Sequence, residues 1–240
     1  SKGASVNLIS NGRNIDDAFL DYLADKKIHL SLSLPGLRTF SAHTGVDNAE
    51  HVLSLFKKAK ERGNPAAANI TVTKKNLPEL YENIAYPLLL GADYVLLNRF
   101  MPGGRGLEND EYLLDTAELN QMLEVAERVL SRARRYGHIG TALPMCAIKN
   151  PERYEYLRIG TRCAAAKEFF VVDPSGYLKV CNHSPVRICR FDEPDRLARD
   201  PYWRAFRERD YYAEMCDGCE KRGDCDGGCP EASHVYLGDT

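Results

Sequence analysis

All eight cysteines of this 240-residue chain lie beyond residue 145, and six of them fall in the last 60 positions. Four form the run Cys216-x2-Cys219-x5-Cys225-x3-Cys229, interspersed with Gly218, Gly223, Gly227 and Gly228. This run most constrains what the chain can fold into. The tail from Cys216 is rich in glycine and aspartate and carries few large apolar side chains, so it cannot offset its own ordering entropy by burial. Metal ligation is the obvious way to hold it, because ligand binding there is folding free energy.

The spacing carries chemistry. Two thiolates at C-x2-C can bite one metal centre from a single turn. The glycines let the backbone curl closely around it and leave amide N–H groups free to point at sulfur, an interaction that tunes cluster potential. Upstream, Cys163-x12-Gly176-x4-Cys181 brackets a predicted β-hairpin. Its strands are Phe169–Val172 and Tyr177–Val180, and the turn is Asp173–Pro174–Ser175–Gly176. Such a turn can bring two more thiolates to one side. Three chemistries fit the cysteines alone: iron–sulfur clusters, one closed tetrahedral zinc site, or disulfides. A cysteine-free first 145 residues favours a metal site in a reducing, cytoplasmic compartment over a disulfide scaffold. Cys146 and Cys189 stand outside the strongest spacings. Each is either a further ligand or a small buried hydrophobe, the common fate of free cysteine.

The first part of the chain alternates strands and helices. Ser5–Ile9 reads as a strand, and Asp16–Ala24 carries apolar residues at helical spacing. Ile28–Leu34 alternates with period two. Asn48–Arg62 is an amphipathic helix with Val52, Leu53 and Phe56 inward and Asp47 as its expected cap. Ala68–Val72 reads as a strand, Leu77–Leu90 as a helix, Tyr94–Asn98 as a strand and Thr116–Tyr136 as a long helix. Four strand–helix units imply an α/β fold with a parallel sheet, because parallel strands need crossover connections. In such folds ligands sit at the carboxyl ends of the strands. Asn11, Ser33, Thr73, Asn98 and Arg99 therefore point toward any active site, unless each merely caps a turn. Beyond Ile139–Ala142 the helices shorten, Asp200–Arg209 reading as one short helix, and a domain boundary is placed near residue 140.

Composition closes off other classes. Lys+Arg 32 against Asp+Glu 34 leaves no basic footprint for nucleic acid. No apolar run reaches the roughly 18 residues needed to cross a bilayer, so no membrane partner is expected.

With these residues in hand, the chain resembles a known family. Cys163-x12-Gly176-x4-Cys181 followed by Cys216-x2-Cys219-x5-Cys225-x3-Cys229 is similar to the SPASM domain of radical S-adenosylmethionine (SAM) enzymes. The stretches LISNGRNIDDAFLDYLADKKIHLSLSLPG, NITVTKKNLPEL and GADYVLLNRFMPGGRG look like the later strand–helix units of a radical SAM partial (β/α) barrel. The implied architecture is a partial barrel over residues 1–140 and a small cysteine-rich α+β SPASM domain over 141–240.

The resemblance implies further expectations. Auxiliary [4Fe-4S] clusters would be held by Cys163, Cys181 and Cys229 nearer the active site and by Cys216, Cys219 and Cys225 further out. The family's C-x3-C-x2-C motif, which binds the cluster that cleaves SAM, is absent, so the sequence is expected to be the later part of a longer enzyme. The family's last cysteine is also absent. Its place would fall to Cys189, to a ligand beyond Thr240, or to an open iron position. In the intact enzyme a 5′-deoxyadenosyl radical would abstract hydrogen from a peptide or protein substrate. An electron donor such as a flavodoxin or ferredoxin would supply reducing equivalents. SAM contacts would come from Asn11, Ser33, Asn69 or Thr71, Asn98 and Arg99, with Arg99 or Arg105 pairing its carboxylate. His183, two residues after Cys181, could hydrogen-bond a cluster or substrate. The competing expectations are a non-catalytic iron–sulfur electron-transfer module on a degenerate barrel and a zinc-stabilised binding domain.

Overall fold

A computed structural model describes residues 3–212 and 214–237. The chain forms two compact units that interleave along the sequence. The first comprises residues 1–100, 111–140 and 149–159; the second comprises 101–110, 141–148 and 160–240. Residue 140 is thus one of several crossings, because the strand that completes the first sheet lies beyond it.

The first unit is a six-stranded parallel sheet with strands in chain order: β1 (Asn7–Ser10), β2 (His29–Ser33), β3 (Ala66–Val72), β4 (Tyr94–Arg99), β5 (Gly137–Ile139) and β6 (Leu157–Ile159). The connections hold α1 (Asp17–Asp25), α2 (Phe40–Thr44), α3 (Ala49–Glu61), α4 (Leu80–Leu90) and α5 (Thr116–Ala133). Leu30, Leu32, Leu34, Ala68, Ile70, Val72, Val95 and Leu97 are all essentially inaccessible, as are Leu20, Val52, Phe56, Leu80, Ile84 and Met122 of the helices. One sheet face is therefore sealed by helices, at about 1.5–3 kcal/mol for each large apolar side chain buried.

Local chemistry sets the helix ends. Asp16 caps α1 by accepting from the Phe19 N–H at 2.8 Å. Asp115 and Glu118 form a reciprocal capping box on α5. The expected Asp47 cap is not found: Asn48 occupies the cap position of α3 without a side-chain bond. The span read as one helix over 77–90 is a 3₁₀ turn, Leu77–Glu79, followed by α4. The last helix stops at Ala133 because Arg134 turns left-handed (φ 50°). β6 is pinned by the Glu127 carboxylate of α5, which accepts from the N–H groups of Tyr156 (3.1 Å) and Leu157 (2.8 Å).

The second unit is built on a three-stranded antiparallel sheet of β7 (Val171–Val172), β8 (Tyr177–Lys179) and β9 (Cys189–Arg190), with α6 (Pro201–Glu208) and α7 (Pro230–Leu237). The hairpin falls where expected, with Gly176 at φ 81°, and Asp200 caps α6 through the Trp203 N–H. Its core is small: Ala165, Ala166, Val180, Cys181, Trp203 and Phe206. Among the described residues no helix is long and apolar enough to cross a membrane.

Candidate functional site

In the first unit, register and pleat sort the polar residues onto one face. Ser33 pairs with Asn69, Asn69 with Leu96 and Leu96 with His138; one step on, Thr71 pairs with Asn98. Side chains alternate across a strand and neighbouring strands lie about 4.8 Å apart. Ser33, Asn69, Thr71 and Asn98 therefore share the face opposite the helix-covered core. Asn98 Nδ2 donates to Asn69 Oδ1 at 3.1 Å, tying two of the expected SAM-contact residues together. A Cβ on Gly140 would run into the Asn98 side chain, so the glycine leaves that amide its place.

Other candidates fall elsewhere. Arg99 pairs with Val72, and alternation puts it on the helix-covered face, away from Asn98. Asn11 is exposed and its Oδ1 accepts from the Arg13 N–H at 3.1 Å, a turn-capping role. Thr73 is also a turn residue. It takes the Asn76 N–H on its hydroxyl, gives its own N–H to Asn76 Oδ1 at 2.8 Å and meets His43 Nε2 at 2.9 Å. The side chain of Arg105 lies outside the described residues.

The loop leaving the carboxyl end of β2 is fixed by a residue the sequence did not flag. Glu79, almost fully buried, accepts from the N–H groups of Leu37 (3.1 Å), Arg38 (2.9 Å) and Thr39 (3.1 Å). Burial pushes its carboxyl up, but the Thr39 hydroxyl and those three amides win, and its pKa is lowered. Gly36 is required beside it, since a Cβ there would lie 2.7 Å from Glu79 Oε1.

All eight cysteines, which belong to the second unit, are free thiols. Burial raises the pKa of Cys163, and the Cys229 thiol raises it further. Burial pushes Cys181 up to about 12, with Glu231 and again Cys229 adding to it. Burial raises Cys216 as well, followed by the thiols of Cys219, Cys225 and Cys146. The Cys229 thiol thus acts on both Cys163 and Cys181, and those of Cys219, Cys225 and Cys146 act on Cys216. Cys189 lies on β9 opposite Leu178, buried, and the charges acting on it are Arg196, Glu193 and Asp200.

Backbone amides address the sulfurs. The Ala165 N–H near Cys163 and those of His183 and Ser184 near Cys181 lower the thiol pKa against the effect of burial. Cys225 Sγ accepts from Met145 N and Gly227 N, each at 3.3 Å. Among the described residues no three His, Cys, Asp or Glu side chains converge closely enough to hold a single metal ion.

Asp226, inside the C-x3-C segment, is a second residue that sequence reasoning missed. Its carboxylate is wholly buried and takes the Cys163 N–H at 2.7 Å, the Tyr211 hydroxyl at 3.2 Å, Lys167 Nζ at 3.4 Å and Arg209 Nε at 3.2 Å. It clamps the Cys163 segment to the Cys225–Cys229 run. The signal was its place between two candidate ligand cysteines; the partners were distant in sequence.

No protein-family model matches the chain. Over 98% of its length it is 23% identical to a PqqA peptide cyclase of Granulibacter bethesdensis, and over its whole length 25% identical to one of Rhizobium meliloti. It spans 64% and 65% of those relatives. Among solved structures, anSMEcpe with bound AdoMet and the Cp18Cys peptide superposes with a TM-score of 0.72 at 15% identity, covering 98% of this chain and 69% of that one. Streptococcus suis SuiB bound to precursor peptide SuiA superposes with a TM-score of 0.69 at 18% identity, covering 96% of this chain and 55% of that one. These comparisons support the resemblance to radical SAM/SPASM proteins read from the sequence.

The residues present fit the groups that radical SAM/SPASM proteins carry. The donors are soft thiols, suited to iron–sulfur ligation. Two amide N–H groups, of Met145 and Gly227, point at the Cys225 sulfur. Gly218, Gly227 and Gly228 take positive φ (72°, 72° and 107°) so that the backbone can wrap the thiols. The parallel sheet offers a polar face with Asn69 in the middle of β3, Ser33 at the carboxyl end of β2 and Asn98 next to that of β4.

Proposed function

We propose that this chain is the later part of a peptide or protein maturase that works by radical SAM chemistry and holds two auxiliary [4Fe-4S] clusters. The observation that carries the reading is the relationship to PqqA peptide cyclases along essentially the whole chain. Structural neighbours solved with both AdoMet and a peptide support the same substrate class.

Cys163, Cys181 and Cys229 would hold one cluster; Cys216, Cys219 and Cys225 would hold the other. When bound, the clusters supply one-electron transfer or a ligation point for substrate, with a potential set by ligands, hydrogen bonds and solvent exposure. The chain's own residues do the positioning. Asp226 joins the Cys163 segment to the Cys225–Cys229 run, and the amides of Ala165, His183, Ser184, Met145 and Gly227 stabilise thiolate charge. The Asn69–Asn98 pair, with Ser33 beside it, would hydrogen-bond SAM. Glu79 fixes the loop after Ser33. Arg99 and Asn11 are left out of this set for the geometric reasons above. An electron donor of the flavodoxin or ferredoxin type completes the scheme.

The test is turnover by the full-length protein under anaerobic conditions with SAM, a reductant and candidate peptides. Peptide-dependent consumption of SAM with a mass change in the peptide is expected. SAM consumption that no peptide stimulates, or a protein that neither binds nor consumes SAM, contradicts the maturase reading.

A further inference from the structure

We propose that Cys146 supplies the fourth thiolate of the cluster held by Cys216, Cys219 and Cys225. This rests on the cluster reading above and completes a set that the four-cysteine run leaves one ligand short.

Two contacts join the Cys146 turn to that run. Met145 and Cys146 share a 3₁₀ turn, Met145–Ala147, and the Met145 N–H donates to Cys225 Sγ at 3.3 Å. Pro144, at the cap of the turn, packs on Gly228, where an added Cβ would lie 3.2 Å from Pro144 Cδ. Next to it, a Cβ on Gly227 would lie 3.4 Å from Cys216 Sγ. The glycine pair is therefore lodged between the Cys216 sulfur and the turn that carries Cys146.

The bland alternative for a lone cysteine is a small hydrophobe in a core. Cys146 does not meet its condition, because it is exposed. Cys189 does: it is buried on β9 and paired with Leu178. The two leftover cysteines, equivalent in the sequence, thus separate into one ligand and one packing residue. On binding, the Cys146 thiol gives up its proton and forms one iron–sulfur bond.

The experiment uses the full chain, reconstituted anaerobically with iron and sulfide, as wild type and as Cys146→Ser, Cys189→Ser and Cys219→Ser. Iron, sulfide and electron paramagnetic resonance are read on each. Cys219→Ser and Cys146→Ser are both expected to lose about one to four iron per chain with a changed cluster signal, and Cys189→Ser to match wild type. Cys146→Ser indistinguishable from wild type while Cys219→Ser loses iron overturns the assignment of Cys146 and leaves the cluster reading standing. Wild type that takes up no iron overturns both. A second readout needs no variant. Cys146 should react with iodoacetamide in the iron-free chain and be protected once the chain is loaded; reaction in the loaded chain overturns the proposal.

Discussion

Replacing Asp226 by asparagine keeps the shape of the side chain and removes its charge and one of its two acceptor oxygens. The carboxylate now serves two sides. One oxygen faces the Cys163 N–H (2.7 Å), the Tyr211 hydroxyl (3.2 Å) and Lys167 Nζ (3.4 Å); the other faces Arg209 Nε (3.2 Å). Whichever way the new amide turns, its NH₂ meets a donor. Losing a hydrogen bond to a charged group costs about 1.5–3 kcal/mol, and stripping one partner from a buried ion pair costs about 3–5 kcal/mol. The cations keep some water, with 18% of the Lys167 side chain and 29% of the Arg209 side chain exposed, so the low end applies, about 3 kcal/mol. For a chain of this size that is a fall in melting temperature of about 6–12 °C. The assay is thermal unfolding of the iron-free chain under reducing conditions, with Asp224→Asn as control. Asp224 is exposed and pairs with an exposed Arg162, and its loss should stay within about 0.5 kcal/mol. If Asp226→Asn melts within about 2 °C of wild type, the clamp is not what joins the two cysteine segments.

Other consequences are checked more simply. Stability of the iron-free chain should fall as pH rises above the ordinary thiol range. Cys163, Cys181 and Cys216 have raised pKa values in the folded state, so the unfolded chain loses protons first, and stability present below pH 9 drains away toward about pH 12; denaturant midpoints that rise across that range would contradict the burial of these thiols. Gly36→Ala should destabilise by about 1–3 kcal/mol, because its Cβ would press on Glu79 at 2.7 Å; unchanged urea unfolding would show that the loop after β2 is not held as described. Asn98→Ala in the full-length protein should weaken SAM binding about tenfold while Asn11→Ala leaves it within about twofold, the difference being roughly one hydrogen bond; equal effects by equilibrium dialysis would show that the shared sheet face does not select the ligand.

How much was legible in the sequence follows from how local each signal is. The strand Ile28–Leu34 could be read because its alternation runs for seven residues, and β2 lies within it. β5 and β6 could not, because three residues each leave no period to see, and their place is set by Glu127 and by pairing to β4. The hairpin around Gly176 was legible from turn chemistry alone. Cap identity was not always so: Asp47 looked the better cap, but the helix began one residue later. The cysteine spacings could be seen because ligands of one centre sit close in sequence. The contact of the Met145–Ala147 turn with Cys225 spans 80 residues and goes with the packing of Pro144 on Gly228, which no spacing encodes. Arg99 was placed with Asn98 because both end a strand; the two-residue pleat separates adjacent residues to opposite faces. Asp226 looked like one more polar loop residue until its cations, far off in sequence, were brought to it.

Everything in this account turns on sulfur from two groups of cysteines binding iron. The most direct measurement is metal and acid-labile sulfide content per chain, taken on anaerobically purified protein alongside Mössbauer spectra. About eight iron and eight sulfide, from two four-iron clusters, is the predicted result. Stoichiometric zinc without sulfide, or a protein carrying neither metal, would contradict it.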